Sequence, residues 1–207
     1  MAQAIAPTDL QDRLPRRTEL VAAAARLFSE RGYHGTSMRH LGDAVGVLRG
    51  SLYAHIASKE ELLYEVTNEG AERFLARGRE ALDSGGGAAD RLRSFIVGHV
   101  QTATEHMDAA TVFLNEWRYL SDVRRAEIKA KRDAYEAMAR TIVADGVGSG
   151  EFRPDADTTF ASLLVLSAGN WVYTWYRPEG ELSPEEIGER FADLVIRGLI
   201  GSQGEES

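Results

Sequence analysis

The sequence predicts an all-α fold for this chain of 207 residues. From about residue 20 to residue 200, apolar residues recur at the spacing of three and four that gives a helix one apolar face. Residues typical of helix starts and stops separate these stretches. No segment alternates apolar and polar residues between hairpin-turn residues, so we expect no β-sheet. The pattern indicates about nine helices, three of them short and placed before residue 57.

Turn and capping residues bound the first three helices. The first is expected to end at Gly32, since glycine is common immediately after a helix C-terminus. The second starts with Thr36 or Ser37 as N-cap and ends at the turn Gly46-Val47. The third is predicted from Leu48 to Ile56. Short helices joined by a tight turn that contains glycine are typical of a helix-turn-helix.

Longer helices are predicted in the rest of the chain. The fourth begins at a capping box formed by Ser58 and Glu61 and runs to about Leu82, where glycines 85–87 break it. Later helices are predicted to end within Gly146 to Gly150, to span Asp157 to Tyr176, and to begin at Ser183-Pro184-Glu185-Glu186. The last of these signals combines a capping box with proline at the first helical position.

Composition excludes several classes of protein and site. The chain has no cysteine, so it has neither disulfides nor thiolate metal ligands, and we expect it in the cytoplasm. Residues 1–17 lack the apolar segment of a secretory signal. The longest apolar run, Phe160 to Tyr173, is shorter than the roughly 20 residues of a membrane span. The five histidines form no zinc motif, so we predict neither a metal nor a cofactor.

Charge is distributed unevenly along the chain. The net charge is -8, but residues 1–60 hold eight Lys and Arg against six Asp and Glu, a net +2. A basic head on an acidic body would orient a protein on a polyanion, because the duplex repels the body. Ordinary scatter of solvated charge would give a similar balance.

The surface outside the predicted helix-turn-helix core is rich in hydrogen-bond donors, as contact with DNA requires. The side chains expected there are Arg39, Arg49, Ser51, Tyr53 and His55. Arg49 suits a guanine or a phosphate. Lys59, in the first turn of the fourth helix, is placed for a phosphate at a helix N-terminus. An exposed lysine beside two glutamates is the alternative interpretation.

An ordered set of residues lies between Ala22 and Leu63: Leu27-Phe28, Gly32-Tyr33, Gly35-Thr36, Gly46-Val47, Gly50-Ser51-Leu52-Tyr53 and Ser58-Lys59-Glu60-Glu61-Leu62-Leu63. This stretch resembles the DNA-binding domain of TetR-type regulators. The resemblance implies DNA contacts, chiefly to phosphates, by Thr36, Arg49, Gly50, Ser51, Tyr53, His55 and Lys59. Two residues depart from the family pattern. Ile56 replaces a common Phe, and Leu48, where a small polar residue is frequent, would contact a thymine methyl or pack.

The same resemblance implies that the later helices form a ligand-binding core. It further implies that the last two helices of each subunit form a four-helix dimer seam, and that ligand binding releases DNA. The predicted dimer contacts are Trp175, Phe191, Leu194, Val195, Gly198 and Leu199. The apolar stripe on the last helix would alternatively cover the core of its own subunit.

Two further segments suggest the ligand. Asn115-Glu116-Trp117-Arg118, and residues 170–180, resemble the branch of the family that senses acyl-coenzyme A thioesters and represses catabolic genes for fatty acids, sterols or aromatic acids. The predicted ligand contacts are Phe113, Trp117, Arg118, Tyr135, Ser167, Asn170, Trp171, Thr174 and Arg177. Arg118 or Arg177 is expected near an anionic group, unless Arg118 pairs with Asp122. The basic residues 124–132 are expected on a solvated helix face, or alternatively at coenzyme A phosphates.

These observations predict a repressor that binds a palindromic operator as a homodimer and releases it on binding a hydrophobic effector, foremost an acyl-CoA. A generic hydrophobic inducer or drug is the first alternative. The others are a dimeric ligand-binding protein that has lost DNA binding and a helical enzyme using Glu116, His99, His106 or Tyr135. The predicted domains are a disordered arm (1–14), the DNA-binding domain (15–60), the ligand-binding and dimerisation domain (61–201), and a disordered tail (202–207).

Overall fold

The computed structural model describes residues 17–200, which form nine α-helices and one 3-10 turn. The helices are α1 (Arg17–Gly35), α2 (Met38–Val45), α3 (Arg49–Leu52), α4 (Lys59–Asp83), α5 (Ala88–Glu105), α6 (Met107–Asn115), α7 (Asp122–Ser149), α8 (Thr158–Trp175) and α9 (Pro184–Ile200), with the turn Trp117–Tyr119 between α6 and α7. No β-strand occurs between residues 17 and 200, and the all-α prediction is confirmed. The arm and tail predicted to be disordered, 1–14 and 202–207, lie outside the described residues. No helix in residues 17–200 is long and apolar enough to cross a membrane.

The first three helices and the start of α4 form a small head around one apolar core. Leu20, Phe28, Leu41 and Leu52 are buried in it. Helical backbone is interrupted at Gly32, whose φ of 72° is accessible to glycine at little cost. Ser37 caps α2 in a reciprocal box: its hydroxyl accepts from the His40 amide, and its own amide donates to His40 Nδ1, both at 3.2 Å.

The third helix is shorter than the sequence predicts. It covers only Arg49–Leu52 instead of Leu48 to Ile56. The amides of His55 and Ile56 both donate to the Leu52 carbonyl, at 2.9 and 3.0 Å, so the chain closes into a turn. Ile56 is still buried in the core, because the turn brings it back to the same side as Leu52, four residues earlier. The spacing of Leu52 and Ile56 is therefore compatible with a turn as well as with a helix.

Helix α4 connects the head to the body. It begins at the predicted N-cap, with the Glu61 amide donating to Ser58 Oγ at 3.1 Å. The predicted capping box is only half formed, because the Glu61 carboxylate accepts from the Ala57 amide at 2.6 Å and not from Ser58. Arg17, at the start of α1, donates to the carboxylates of Glu61 and Glu65 on α4 and to the His55 carbonyl. Arg17 lowers the pKa of Glu61, because the ionised carboxylate accepts its hydrogen bond. One guanidinium thus holds three parts of the head together.

The body is a bundle in which α5 packs against α4, α7, α8 and α9. Its core includes Leu92 and Phe95 of α5 and Ile142 of α7. The sequence signals gave no sign of the break at His106 that separates α5 from α6, since neither glycine nor proline marks it. The start of α9 is as predicted: Ser183 and Glu186 exchange hydrogen bonds between side chain and backbone.

Candidate functional site

The outer face of the head carries several residues that the sequence assigned to DNA contact. Leu48 is 84% exposed, and Arg39, Gly50 and Tyr53 are also exposed. Arg39 lies 3.7 Å from Asp43 in a solvent-exposed pair, which holds it only weakly. Arg49 and Ser51 were also predicted to contact DNA; their backbone belongs to α3, but their side chains are outside the described part of the structure. An exposed apolar side chain beside donors is the composition expected for a surface that meets a DNA groove.

Thr36 has a structural role where the family pattern implied a DNA contact. It is 1% exposed, and its hydroxyl donates to the carbonyls of Leu27 and Gly32 at 3.0 Å each. Those carbonyls lie at the end of the first helix, where intrahelical donors run out. Thr36 closes this helix end, and the expectation that its side chain contacts phosphate is corrected.

Lys59 is bound within the head, unlike the exposed lysine considered from the sequence. Its ammonium donates to the carbonyls of Tyr33 and Thr36 at 2.7 and 2.6 Å and lies 4.1 Å from the centre of the Tyr33 ring. Burial lowers the pKa of this amine. Lys59 therefore fastens the connection between α1 and α2 to the start of α4. A phosphate contact through its third donor stays a prediction.

His55 is less available than the sequence suggested. Its side chain is half-buried and its Nε2 atom is buried without a hydrogen-bond partner among the described residues. Its carbonyl is held by Arg17. His55 thus lies at the junction of α3 and α4, with Nε2 turned away from solvent, and a DNA contact through that atom does not fit this geometry.

A cavity of about 230 Å³ lies in the body between α4, α5, α6, α7 and α8. Four of the predicted ligand contacts line it: Phe113, Tyr135, Ser167 and Asn170. The other lining residues are Phe74, His99, Leu114, Arg132, Asp133, Glu136, Leu163 and Leu166. Apolar walls with a few polar groups are typical of small-molecule sites.

Aromatic rings form the inner wall of this cavity. Phe74 lies 5.4 Å from Phe113 and 5.6 Å from Tyr135, measured between ring centres, and Phe95 stacks on Tyr135 from behind. Burial raises the pKa of the Tyr135 hydroxyl, which therefore stays protonated. The rings fix one another in place, so the wall is rigid and a ligand meets a preformed surface.

Arg132 is the cation of the cavity, where the sequence pointed to Arg118 or Arg177. Its guanidinium lies about 5 Å from the ring centres of Phe113 and Trp117, and it donates to the Phe113 carbonyl at 3.3 Å. No carboxylate lies within 4 Å of it in the described part of the chain. The two acids of the lining are paired elsewhere, Asp133 with Lys129 and Glu136 with Arg140. Burial lowers the pKa of Arg132, yet arginine stays charged.

Other predicted ligand contacts lie outside the cavity. Trp171 is 64% exposed on the far face of α8, Thr174 donates to the Trp171 carbonyl, and Arg177 is exposed beyond the end of the helix. Arg118 donates to the Asn115 carbonyl, while Asp122 pairs with Arg125. These assignments are corrected because the helical face of α8 with most aromatic residues turns outward. Trp117 contacts the cavity indirectly, through Arg132.

The remaining basic residues of α7 are engaged at the surface, as expected for a solvated face. Arg124 approaches Glu60 at 3.7 Å, and Lys131 donates to Asn68 and Glu72. These pairs tie α7 to α4. Arg132 differs from them because it has an aromatic environment and no acidic partner in residues 17–200.

The head and body meet at Glu116, immediately after α6. Its carboxylate oxygen Oε2 accepts a hydrogen bond from the Tyr33 amide at 2.7 Å. Tyr119, on the same segment, packs on His34 with ring centres 4.4 Å apart. From the sequence, Glu116 belonged to a segment that resembles the acyl-CoA-sensing branch and was a possible acid in an enzyme. Its partner in the structure is a backbone amide far away in the chain, which no local pattern indicates.

An open cleft lies along the first half of α1, which elsewhere packs directly on α4 and α6. It has a volume of about 590 Å³ and is lined by α1, α4 and the turn between α5 and α6. Its walls mix alanines and Val66 with Glu69, Arg73 and Asp108.

Helices α8 and α9 present a shared apolar face to solvent. Its exposed residues are Phe160, Leu163, Leu164, Trp171, Trp175, Leu194 and Ile200, and Gly198 faces open space. Phe191 and Val195 are half-buried at its border, and Trp175 contacts Phe191 edge to face. Leu199 is corrected: it is buried in the core of its own subunit.

Comparison with known proteins agrees with this architecture. Residues 20–66 match the family model of bacterial regulatory proteins of the tetR family, and residues 85–199 match that of the tetracyclin repressor-like C-terminal domain. The chain belongs to the TetR family. The two family models and the similar proteins are all those of DNA-binding transcriptional regulators. The predicted helix-turn-helix regulator is therefore confirmed over the alternative of a helical enzyme.

Three relatives place this TetR-family regulator more closely. The HTH-type transcriptional repressor KstR2 of Mycolicibacterium smegmatis is 31% identical over 98% of this chain and 99% of its own length. The structure of the ketosteroid transcriptional regulator KstR2 of Mycobacterium tuberculosis has a TM-score of 0.83 at 29% identity, covering 92% and 98% of the two chains. AibR, solved with isovaleryl coenzyme A and operator DNA, has a TM-score of 0.77 at 28% identity, covering 84% and 95%.

Lys59 and Arg39 are two cations of the head that are expected to respond differently to substitution. Lys59→Met should lower the free energy of unfolding by about 1–2 kcal/mol, because two carbonyls lose a charged donor. Arg39→Met should leave that free energy unchanged within about 0.5 kcal/mol and should reduce the salt dependence of DNA binding by about one ion. Urea unfolding and titration of a duplex selected from a random pool, at several salt concentrations, measure both. Unchanged stability in Lys59→Met would show that the lysine acts on DNA alone.

Proposed function

We propose that this regulator is a repressor that holds its operator as a homodimer and releases it when an acyl-CoA thioester occupies the cavity. The observation that carries the proposal is Arg132, a half-buried cation with no carboxylate within 4 Å in the described chain, at a cavity with an aromatic wall. Asp133 acts on it only through space, so an anionic ligand group would gain from binding directly beside it.

Cavity size supports a ligand that is only partly enclosed. A volume of about 230 Å³ is below the roughly 300–1,000 Å³ usual for a drug-sized ligand. It suits a short acyl chain or one ring, whereas coenzyme A is far larger. The acyl group would lie against Phe74, Phe113 and Tyr135, with the thioester and its phosphate-bearing part leading outward past Arg132. AibR, whose solved complex contains isovaleryl coenzyme A, supports the same ligand class.

A generic hydrophobic inducer is the second possibility. The aromatic wall favours any compact apolar molecule, and nothing in Phe74 or Phe113 requires a thioester. Arg132 separates the two ligand classes, because a neutral inducer gains little from a guanidinium.

We infer that Glu116 transmits occupancy of the cavity to the head. Arg132 contacts Phe113, on α6, and Trp117, which directly follows Glu116. An anionic group that draws Arg132 away from these rings would displace the segment that holds the Tyr33 amide. The end of α1, which carries Tyr33, would follow this movement. Because Thr36, directly before α2, is hydrogen-bonded to the end of α1, α2 and α3 would move with it.

The apolar face of α8 and α9 supports the homodimer. Contiguous exposed patches of this kind are rare on monomeric proteins. Gly198 faces open space and has no side chain, so another helix can approach its backbone closely. Two heads related by a two-fold axis would contact half-sites about one turn of DNA, roughly 34 Å, apart or a multiple of it.

Replacing Arg132 tests the effector class. In wild type, short-chain or aromatic acyl-CoA thioesters should release the operator, while free coenzyme A should not. Arg132→Met should weaken thioester binding about tenfold or more, since a charged hydrogen bond is lost. Calorimetric titration and fluorescence anisotropy of labelled operator measure the two steps.

Arg118→Met is the matched control, because Arg118 is an exposed arginine that donates to the Asn115 carbonyl and does not line the cavity. It should behave as wild type. Equal thioester affinity in Arg132→Met and wild type would contradict the proposed role of the cation, and insensitivity of wild type to every thioester would favour a neutral inducer.

The dimer is tested by charging its centre. Leu194, 73% exposed on α9, replaced by Glu should give a monomer at micromolar concentration, because two carboxylates would be buried against apolar partners. Val123→Glu, at a comparably exposed residue of α7, should remain dimeric. Sedimentation velocity distinguishes the two, and a monomeric wild type would contradict the proposal.

A further inference from the structure

The inner wall of the cavity contains a histidine with an unused hydrogen-bonding atom. His99 lines the cavity and is 2% exposed. Its Nδ1 lies 3.1 Å from the Tyr135 hydroxyl, whereas its Nε2 is buried with no hydrogen-bond partner within 3.5 Å among the described residues, and the Asn170 side chain interacts with the ring only weakly. An unsatisfied buried polar atom is unfavourable, and an apolar residue of similar shape would avoid the penalty.

The surroundings of His99 leave Nε2 beside other cavity residues. The ring packs on Phe74, with 4.9 Å between ring centres. A Cβ added at Gly169 would lie 2.7 Å from Nε2, so this edge of the ring abuts α8 where Gly169 precedes Asn170. Asn170 lines the same cavity. Because residue 169 is glycine, the His99 ring fits against α8; a larger residue there would displace the ring.

The histidine ring is uncharged in the folded protein. Burial lowers the pKa of His99 to about 4, and the nearby Asn170 side chain opposes this shift only in part. Tyr135 stays protonated, because burial raises the pKa of its hydroxyl. With the Tyr135 hydroxyl donating to Nδ1, the ring proton lies on Nε2, which makes that atom a neutral donor.

We propose that His99 Nε2, together with Asn170, recognises an uncharged oxygen, a ketone or a hydroxyl, on the apolar part of the effector. The inference rests on the proposed function in taking this cavity as the effector site. Arg132 would bind the anionic portion, and His99 the neutral oxygen of the acyl group or ring. A neutral donor with aromatic neighbours favours a neutral acceptor, because a charged group would lose its hydration there. The effector class is thereby narrowed from any hydrophobic acyl group to one bearing an oxygen.

Two ring compounds of nearly equal shape test the proposal on the full-length protein. Cyclohexanone carries a carbonyl oxygen where methylenecyclohexane carries a CH₂ group, and neither contains coenzyme A. Wild type should bind cyclohexanone about tenfold more tightly, since the hydrogen bond is made in a buried site. Ligand-observed NMR measures both dissociation constants in the millimolar range expected for so small a ligand.

Variants of His99 separate recognition from a structural role. His99→Phe should reduce the preference for cyclohexanone to within about twofold, and it should lower the melting temperature, because the buried Tyr135 hydroxyl loses its partner Nδ1. His99→Gln, which retains an amide near Nε2, should restore part of the preference. His106→Phe, at an exposed residue following the same helix, is the control and should keep the preference of wild type.

Equal binding of the two rings by wild type would overturn the proposal, as would failure of cyclohexanone to bind up to about 20 mM. A retained preference in His99→Phe would also overturn it. The acyl-CoA proposal fails separately: if no thioester releases the operator but the ring preference depends on His99, the oxygen site stands and the effector is a neutral ketone or alcohol.

Discussion

The hydrogen bond from the Tyr33 amide to the Glu116 carboxylate is the contact on which the arrangement of head and body depends. Gly32 turns the backbone out of the helix, which frees the Tyr33 amide for a partner outside α1. The connection to α2 is then fastened by Thr36 and Lys59. A residue of the body therefore holds the connection between α1 and α2, in addition to the packing of α1 on α4 and α6.

The size of this interaction fits a regulatory role. A hydrogen bond to a charged group contributes about 1.5–3 kcal/mol, and coupling free energies between sites are about 1–3 kcal/mol. Loss of one such bond is thus enough to change operator affinity by roughly tenfold to a hundredfold. A second link, the Ser121 amide donating to Glu60 at 3.0 Å, holds α4 to the start of α7 and lowers the pKa of Glu60. The first contact can therefore change while the second keeps the domains together.

Local sequence patterns predicted the helices well, because caps act within four residues. Ser37, Ser58 and Ser183 each start a helix as expected. The break at His106 was missed, since backbone angles there follow from packing of α6 against α1 and α4. The shortening of α3 was missed because a turn and a helix place Leu52 and Ile56 on the same side.

The candidate site was only partly predictable for a related reason. Aromatic spacing on α8 identified a helix with two different faces, but the sequence alone does not show which face turns inward. In the structure, Ser167 and Asn170 face the cavity, whereas Trp171 faces solvent. Arg132 looked like one of several basic residues on α7, and only its neighbours Phe113 and Trp117 distinguish it. Glu116 and His99 acquire meaning from partners distant in sequence. Side-chain pairs of this kind are fixed by tertiary packing.

The proposed coupling of the cavity to the operator through Glu116 is tested most directly by the ratio of operator Kd values with and without a saturating thioester. Anisotropy measures this ratio in wild type, Glu116→Ala and the control Glu127→Ala, whose carboxylate accepts from Tyr64 within the body. We expect a ratio of about tenfold or more in wild type and in Glu127→Ala, and below about threefold in Glu116→Ala, with thioester affinity in the absence of DNA unchanged. An undiminished ratio in Glu116→Ala would contradict the coupling through Glu116.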